Sequence, residues 1–575
     1  MCGIFALLNN EGISVDKIQT QFFKGKNRGP DNSTLVTTYP NLILGFHRLS
    51  INGLNIQANQ PLIVDDIVLI CNGEIYNYKE LYKSMNITPN TESDCEVIIH
   101  LFIKYGIDQT LQMLDGVFSF ILYDNRSNEY GNQRLYVARD SHGVRPLYYL
   151  RNLRNGYMND NLSGFASELK CLDYFIMYNP HQYKIEQFKP GTYSVFESSR
   201  ALKYVWLNII DNKIFYNHPF SYNLLNYTDS LKYKTDVLQN ISYHLNTSVN
   251  KQCGATDRPI ACLLSGGLDS SIITALVNDF CKKNNCKRNL ETYSIGLHGS
   301  EDLKYARIVA NYLDTNHTEI IVTEEEMFRS IPDVIYAIES QDTTTVRASI
   351  GNYLLGKYIS ANSSAKVIFN GDGADELCGG YLYMNNCPDE IEFDKETRRL
   401  LSDIHMFDVL RSDKCISCHG LEPRPPFLDR DFTNFYLTIP TKVRRHKECE
   451  KFLLRKSFTF PNFENFEGKQ LLPDQILWRK KEAFSDGVSN QGRSLFKILQ
   501  ERIVEHFKDH TGFTYSPNII TEKMYYKQIF NKYFPNSIDI LPYFWMPRYT
   551  NATDPSARTL DIYTIPEFQA ENIER

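Results

Sequence analysis

An apolar run, Ile260-Ala261-Cys262-Leu263-Leu264, empties into Ser265-Gly266-Gly267-Leu268-Asp269-Ser270-Ser271, after which the pattern turns helical. A strand that ends in a Ser/Gly loop and restarts as a helix aims backbone amides and a helix N-terminus at an anion. The glycines let a phosphate approach the backbone closely. The Gly-Lys-Ser/Thr ending of a Walker A loop is absent. A second apolar strand, Lys366 to Phe369, runs into Asn370-Gly371-Asp372-Gly373-Ala374-Asp375-Glu376. With Thr292 to Leu297, these runs alternate with helical stretches, which predicts a parallel sheet with crossover helices. Ligands of such sheets sit at the carboxyl ends of the strands. A polyphosphate there requires a cation, and Asp269 and Asp375 are the candidate Mg²⁺ ligands.

The chain has 575 residues, enough for at least two domains. Up to about residue 205 it is rich in short strand-like runs, such as Leu42 to Phe46, Ile67 to Cys71 and Val117 to Tyr123, with one helical segment from Ser93 to Tyr105. This predicts an α+β domain over 2–205, a polar and aromatic linker over 206–230, an α/β domain with a helical C-terminal part over 231–550, and a polar, loosely ordered tail over 551–575. A net charge of −6 excludes a broad basic face for nucleic acid. No run approaches the roughly 20 apolar residues needed to span a bilayer. The first residues lack a basic leader and a cleavage site, so the 13 cysteines are expected to be reduced thiols in a cytoplasmic protein.

Cys2 follows the initiator Met. With Met1 removed, one residue carries a thiol and a free α-amine, and the amine can serve as base for its own nucleophile. Alone, a residue-2 cysteine reads equally well as a small buried side chain. Five ordered segments accompany it: Arg28-Gly29-Pro30-Asp31, Phe46-His47-Arg48-Leu49-Ser50-Ile51, Gln60-Pro61-Leu62, Asn72-Gly73-Glu74-Ile75-Tyr76-Asn77 and Ser93-Asp94. With them the chain resembles the class II glutamine amidotransferases, whose glutaminase domain has an N-terminal-nucleophile (αββα) fold. The resemblance implies that Arg48 grips the α-carboxylate of glutamine, that Glu74 and Asp94 hold its α-amine, and that Asn72 and the Gly73 amide form the oxyanion hole. It places Leu49, Ser50, Ile51 and Asn52 beside them. Asn27 stands where that family often has histidine.

The loop at Ser265 resembles the pyrophosphate loop of AMP-forming synthetases with an adenine-nucleotide α-hydrolase-like fold. Further segments narrow the resemblance to asparagine synthetases: Tyr293 to Leu297, Gly299 to Leu303, Thr343 to Ser349, Arg424-Pro425-Pro426-Phe427-Leu428-Asp429, Trp478 to Val488 and Asp554 to Arg558. The resemblance implies ATP contacts from Leu263, Ser265, Gly266, Gly267, Asp269, Ser270, Ile295, Asn370 and Gly371. It implies formation of a β-aspartyl-AMP with Asp372 and Lys481 in catalytic positions, and contacts to aspartate from Arg347 and Glu376. Asp372-Gly373-Ala374 stands where Glu-Gly-Ser is common, so the acid is one methylene shorter. An apolar ammonia tunnel and a homodimer are family expectations. The alternatives are an amidotransferase that adenylates another carboxylate and a non-catalytic glutamine or nucleotide sensor. Cys415-Ile-Ser-Cys418-His419 matches a haem-attachment pattern, but no second cysteine pair lies nearby and the segment falls within the synthetase likeness, so two incidental thiols are expected.

Overall fold

A computed structural model describes residues 2–126, 131–153, 162–177, 181–199, 204–220, 231–286, 288–446, 449–490 and 492–564. The first half contains two six-stranded sheets. One has the order β10-β8-β9-β1-β3-β2, where β1 is Gly3–Leu8, β2 Asn32–Tyr39, β3 Leu42–Arg48, β8 Tyr148–Asn152, β9 Ser163–Ala166 and β10 Tyr183–Gln187. The other runs β12-β11-β7-β6-β5-β4, with β4 Leu62–Val64, β5 Ile67–Ile75, β6 Gly116–Asp124, β7 Asn132–Arg139, β11 Thr192–Ser199 and β12 Val205–Ile214.

Alternation along the strands builds the layers. Ile4, Ala6 and Leu8 of β1 meet Val68 and Ile70 of β5 between the sheets. Phe5 and Leu7 point the other way, onto Ile18 and Phe22 of the helix Val15–Phe23. Ile67, Leu69 and Cys71 of β5 likewise face outward onto the helix Val97–Met113. The result is the helix–sheet–sheet–helix sandwich expected of an N-terminal-nucleophile domain.

The expected linker over 206–230 is corrected in its first part. Residues 206–214 belong to β12, which pairs antiparallel with β11 (Ser198 opposite Trp206, Phe196 opposite Asn208) and closes the sheet edge. The strand is rich in strand-forming side chains (Val205, Trp206, Leu207, Ile209, Ile210), yet as an edge strand it buries only Trp206 and leaves Ile209 and Ile214 exposed. Residues 221–230 of that linker lie outside the described residues.

The second half is built on a parallel five-stranded sheet, β15-β14-β13-β16-β17: β13 Ile260–Leu263, β14 Glu291–Leu297, β15 Asn316–Val322, β16 Val367–Phe369 and β17 Glu422–Arg424. Ala261 and Cys262 are wholly buried because helices cover both faces of the sheet. Beyond residue 390 the chain is mainly helical, as expected. The loosely ordered tail over 551–575 is corrected for its first part: Asp554 and Ser556 are buried in polar contacts with the domain. Residues 565–575 lie outside the described residues.

The halves meet along a seam of buried charge. Arg28 Nη1 donates to Glu168 Oε1 at 2.8 Å, Asp413 Oδ1 at 2.7 Å and Ser417 Oγ at 2.9 Å. Lys170 and Lys414 pair with Glu168 and Glu339, and Glu339 also accepts from the backbone of Leu169 and Lys170. Against burial, the cations of Lys170, Lys414 and Arg28 hold Glu168 well below the usual carboxylate range. Such pairs add little net stability, but losing one partner strands the other charge.

Candidate active sites

Cys2 precedes β1, half-buried, with its thiol donating to Leu49 O at 3.6 Å and its own carbonyl accepting from Arg28 Nε at 2.9 Å. Burial pushes the thiol up from its ordinary value. Asn72, Gly73 and Glu74 lie on β5. Asn72 is fully buried. Its amide reaches Ser167 Oγ at 3.4 Å, and its Oδ1 has no hydrogen-bond partner. Ser167, which sequence reasoning passed over, also accepts from Ile4 N at 3.1 Å and so ties β1 to the Asn72 side chain. A small polar residue in a loop gives no signal of such a bridge.

Glu74 Oε2 accepts from Asn52 Nδ2 at 2.5 Å, and Asp94 Oδ2 from Ile75 N at 2.7 Å. Burial raises Glu74 well above its ordinary value, with Glu422 and Asp94 adding to the effect and Arg424 opposing it. Burial also lifts Asp94 to about 6, against the Ile75 hydrogen bond. Arg48 donates to Asn55 O at 2.8 Å, Asn59 Oδ1 at 2.6 Å and Gly53 O, so its guanidinium is engaged with the following loop. That loop is pinned to the second half: Asp257 N donates to Ile51 O at 3.0 Å, Arg258 Nε to Ser50 O at 2.8 Å, and Gly53 N to Asp257 at 2.9 Å.

The second site is a cavity of about 190 Å³ at the carboxyl ends of β13, β14 and β16. Leu263, Ser265, Gly267, Asp269, Ser270, Ile295, Asn370 and Gly371, eight of the nine residues expected to contact ATP, line it. Gly266 shapes the loop from behind. Its φ is +70°, and a Cβ there would lie 2.4 Å from Ala306 N. Ser265 Oγ and Ser270 Oγ sit 3.0 Å apart and brace the turn. The helix Leu268–Lys283 begins at Gly267 without a side-chain cap, which leaves its first amides for an anion.

Two lysines span the candidate metal ligands. Lys451 Nζ is 2.5 Å from both Asp269 Oδ2 and Asp375 Oδ1, and Lys481 Nζ is 2.6 Å from Asp375 Oδ2. Against burial, these lysines hold Asp375 well below the usual carboxylate range. Lys451 carries no sequence signal: it lies at φ +54°, and its stem occupies space left by Gly380, where a Cβ would stand 1.9 Å from Lys451 Cε. Asp269 Oδ1 is buried without a hydrogen-bond partner, a fit for a cation ligand. Among the described residues no group of three or more His, Cys, Asp or Glu could hold a metal, so phosphate and water oxygens would complete the shell.

Asp372 faces Arg411 Nη2 at 3.3 Å and is raised by burial, with Arg411 opposing. Glu376 lines the cavity and accepts from Tyr381 OH at 2.5 Å. Burial and the neighbouring Asp408 and Asp375 raise it well above its ordinary value. The expected aspartate contact at Arg347 is corrected. Its guanidinium does not line the cavity but makes paired bonds to Glu522 (2.8 and 2.6 Å) and Asp554 (2.7 and 2.8 Å). Four carboxylate oxygens take four of its five N–H donors. Cys415 and Cys418 donate to the carbonyls of Ser349 (3.6 Å) and Cys415 (3.4 Å).

A family model described as a glutamine amidotransferase domain matches residues 1–210, and one described as asparagine synthase matches 240–392 and 384–540. The asparagine synthetase [glutamine-hydrolyzing] of Gallus gallus is 40% identical over 579 residues, covering 98% of this chain and 99% of its own. Those of Rattus norvegicus and Homo sapiens are 39% and 38% identical, each over 583 residues with the same coverage.

Proposed function

The chain belongs to the glutamine-hydrolysing asparagine synthetases, and from that premise we propose how its residues divide the work of making L-asparagine from L-aspartate, ATP and the amide nitrogen of L-glutamine. In the first half the Cys2 thiolate attacks the glutamine amide carbon, with the α-amine of Cys2 taking the thiol proton. Asn72 Nδ2 and the Gly73 amide receive the developing oxyanion. Glu74 and Asp94 bind the substrate's amine and Arg48 its carboxylate. The C–N bond breaks, ammonia leaves, and water releases glutamate from the thioester. Leu49, Ile51 and Val117 share one apolar cluster with second-half residues such as Leu264 and Phe427, surroundings that favour neutral ammonia over ammonium.

In the second half the Ser265 loop and the first turn of its helix hold the departing pyrophosphate. The aspartate β-carboxylate attacks the α-phosphorus, the bond to pyrophosphate breaks, and β-aspartyl-AMP forms. Lys481 and Lys451 offset the negative charge that develops. Asp269 and Asp375 would hold Mg²⁺, which supplies charge neutralisation on the phosphates. Ammonia then attacks the acyl carbon and AMP leaves. All 13 cysteines are unpaired, which suits a reducing cytosol.

The observation that carries this reading is the pair of lysines set across Asp269 and Asp375 at the mouth of the Ser/Gly loop. Incubation with glutamine, aspartate and Mg-ATP should yield AMP, pyrophosphate, glutamate and asparagine together. Production of ADP, or indifference to aspartate, overturns it. Cys2→Ala should abolish glutamine use and retain synthesis from ammonium.

A further inference from the structure

One wall of the ATP cavity is the stretch from Arg479 to Val488, a loop that runs into the short helix Phe484–Gly487. Its ends are fixed to the sheet domain: Arg479 Nη2 donates to Asp302 Oδ1 at 3.0 Å, and Leu297 N to Val488 O at 2.9 Å. The residues between, Lys480 to Ser485, face the cavity. Behind the wall Phe484 packs beside Gly351, while Lys480, Glu482 and Asp486 meet the C-terminal segment. Glu482 accepts from Tyr563 OH and faces Arg558 Nε at 3.5 Å. Lys480 Nζ donates to Tyr563 O at 2.8 Å and sits 5.0 Å from the centre of the Tyr563 ring. Asp486 accepts from Ser556 Oγ at 2.8 and 3.1 Å.

The segment is anchored independently of the wall. Asp554 is held by Arg347 and by Gln500 Nε2 at 3.2 Å. Arg558 Nη1 donates to Asn490 O at 2.9 Å. Leu560 is buried against a cluster with Tyr383, Met384 and Trp545. Lys480 and Lys481 are adjacent like charges on flexible stems. Engaging Lys480 with the Tyr563 carbonyl and Glu482 with Tyr563 and Arg558 leaves Lys481 to face Asp375.

We propose that residues Asp554–Tyr563 are a strap that pre-orders the Lys480–Glu482 wall, with Arg558 and Tyr563 as positioning residues for adenylation. This rests on the reading that the cavity takes ATP. Fixing the wall before ligand arrives spares the ordering of a mobile cation when the nucleotide binds.

The test uses the full chain with Arg558→Ala, Arg558→Lys and Tyr563→Phe. Three readouts are followed: ammonium-supported AMP formation with varied Mg-ATP, glutamine hydrolysis, and tryptic cleavage after Lys480 and Lys481 by mass spectrometry. Arg558→Ala and Tyr563→Phe should raise KM for Mg-ATP on the order of tenfold. They should hasten cleavage at Lys480 and Lys481 and leave glutamine hydrolysis as it was, with Arg558→Lys recovering part of the loss. Wild-type KM and a wild-type cleavage pattern in both Arg558→Ala and Tyr563→Phe overturn the strap. If Arg558→Ala loses glutamine hydrolysis as well, Tyr563→Phe, which removes one hydroxyl, decides. If the unmodified protein forms no AMP from aspartate, the ATP reading fails, and the cleavage pattern still judges the strap.

Discussion

Arg424 Nη2 lies 3.4 Å from Glu74 Oε2, so a guanidinium from the synthetase half faces a carboxylate of the proposed glutamine site. Arg424 ends β17, which pairs with β16, and β16 leads into the Asn370 loop of the other site. One residue thus touches the proposed glutamine site from an element that also frames the proposed nucleotide site.

Removing that charge as Arg424→Met leaves Glu74, Asp94 and Glu422 without their shared cation. Glu74, already raised by burial, would be driven further toward its neutral form and would hold the glutamine amine poorly. KM for glutamine is expected to rise on the order of tenfold. KM for aspartate in ammonium-driven synthesis should hold. Arg424 also pairs with Glu422 at 2.8 Å and is fully buried, so a lower Tm, from a loss of about 3–5 kcal/mol, is expected alongside.

Asp94 titrates near 6 because burial disfavours its charge. Above that value it is ionised and can bind an ammonium group; below it the site loses that charge. Glutamine kcat/KM should therefore fall as pH drops through about 6, and Asp94→Asn should remove that limb along with most glutamine use. The stability sign is opposite. The folded value exceeds the unfolded one of about 3.9, so the contribution from this residue is present at low pH and is lost as pH rises through about 6. Acid loss of glutamine use without unfolding from Asp94 is the expected pH profile.

Gly380→Ala places a methyl where Lys451 Cε and Asp375 Oδ1 now lie, at 1.9 and 2.2 Å. The Lys451 stem must move, and the pair Asp269–Asp375 loses its inner cation. Ammonium-driven AMP formation should fall by about 10²-fold or more. Glutamine hydrolysis, in the other half, should survive. Lys451→Met should give the same split, and wild-type synthesis by Lys451→Met would remove that lysine from the reaction.

Arg347→Met separates a substrate contact from a structural one. Two buried carboxylates, Glu522 and Asp554, would be left unpaired, costing about 3–5 kcal/mol. A clear fall in Tm is expected, with no selective rise in KM for aspartate at low temperature. A selective aspartate defect at unchanged Tm would return Arg347 to the substrate site.

The parts that were legible in the sequence are those whose signal is local. The Ser265 loop announces itself through a buried strand, glycines and a helix start within a dozen residues, and eight of the nine residues expected at the nucleotide, three of them from other strands' ends, line one cavity. Lys451 gives no such signal, since its role arises from a left-handed backbone turn and from the space that a distant Gly380 leaves. The side Arg347 faces is not legible, because a charged residue on the helix Thr343–Asn362 carries no local signal of its partners. Its partners lie 175 and 207 residues away. The strand β12 reads as linker because its apolar residues do not alternate with polar ones, and as an edge strand it buries only Trp206.

The seam between the halves has a bearing on ancestry and engineering. Arg28, Glu168 and Lys170 on one face are matched to Asp413, Glu339 and Lys414 on the other as a lock of alternating sign. A hybrid that joins one half of this chain to the complementary half of a relative would inherit only one face of that lock. Grafts that preserve the sign at each of these six positions should assemble, whereas a graft that reverses even one would trap a lone ion in a dry joint. Recombination between such enzymes is thereby filtered at the joint as well as at the reactive centres.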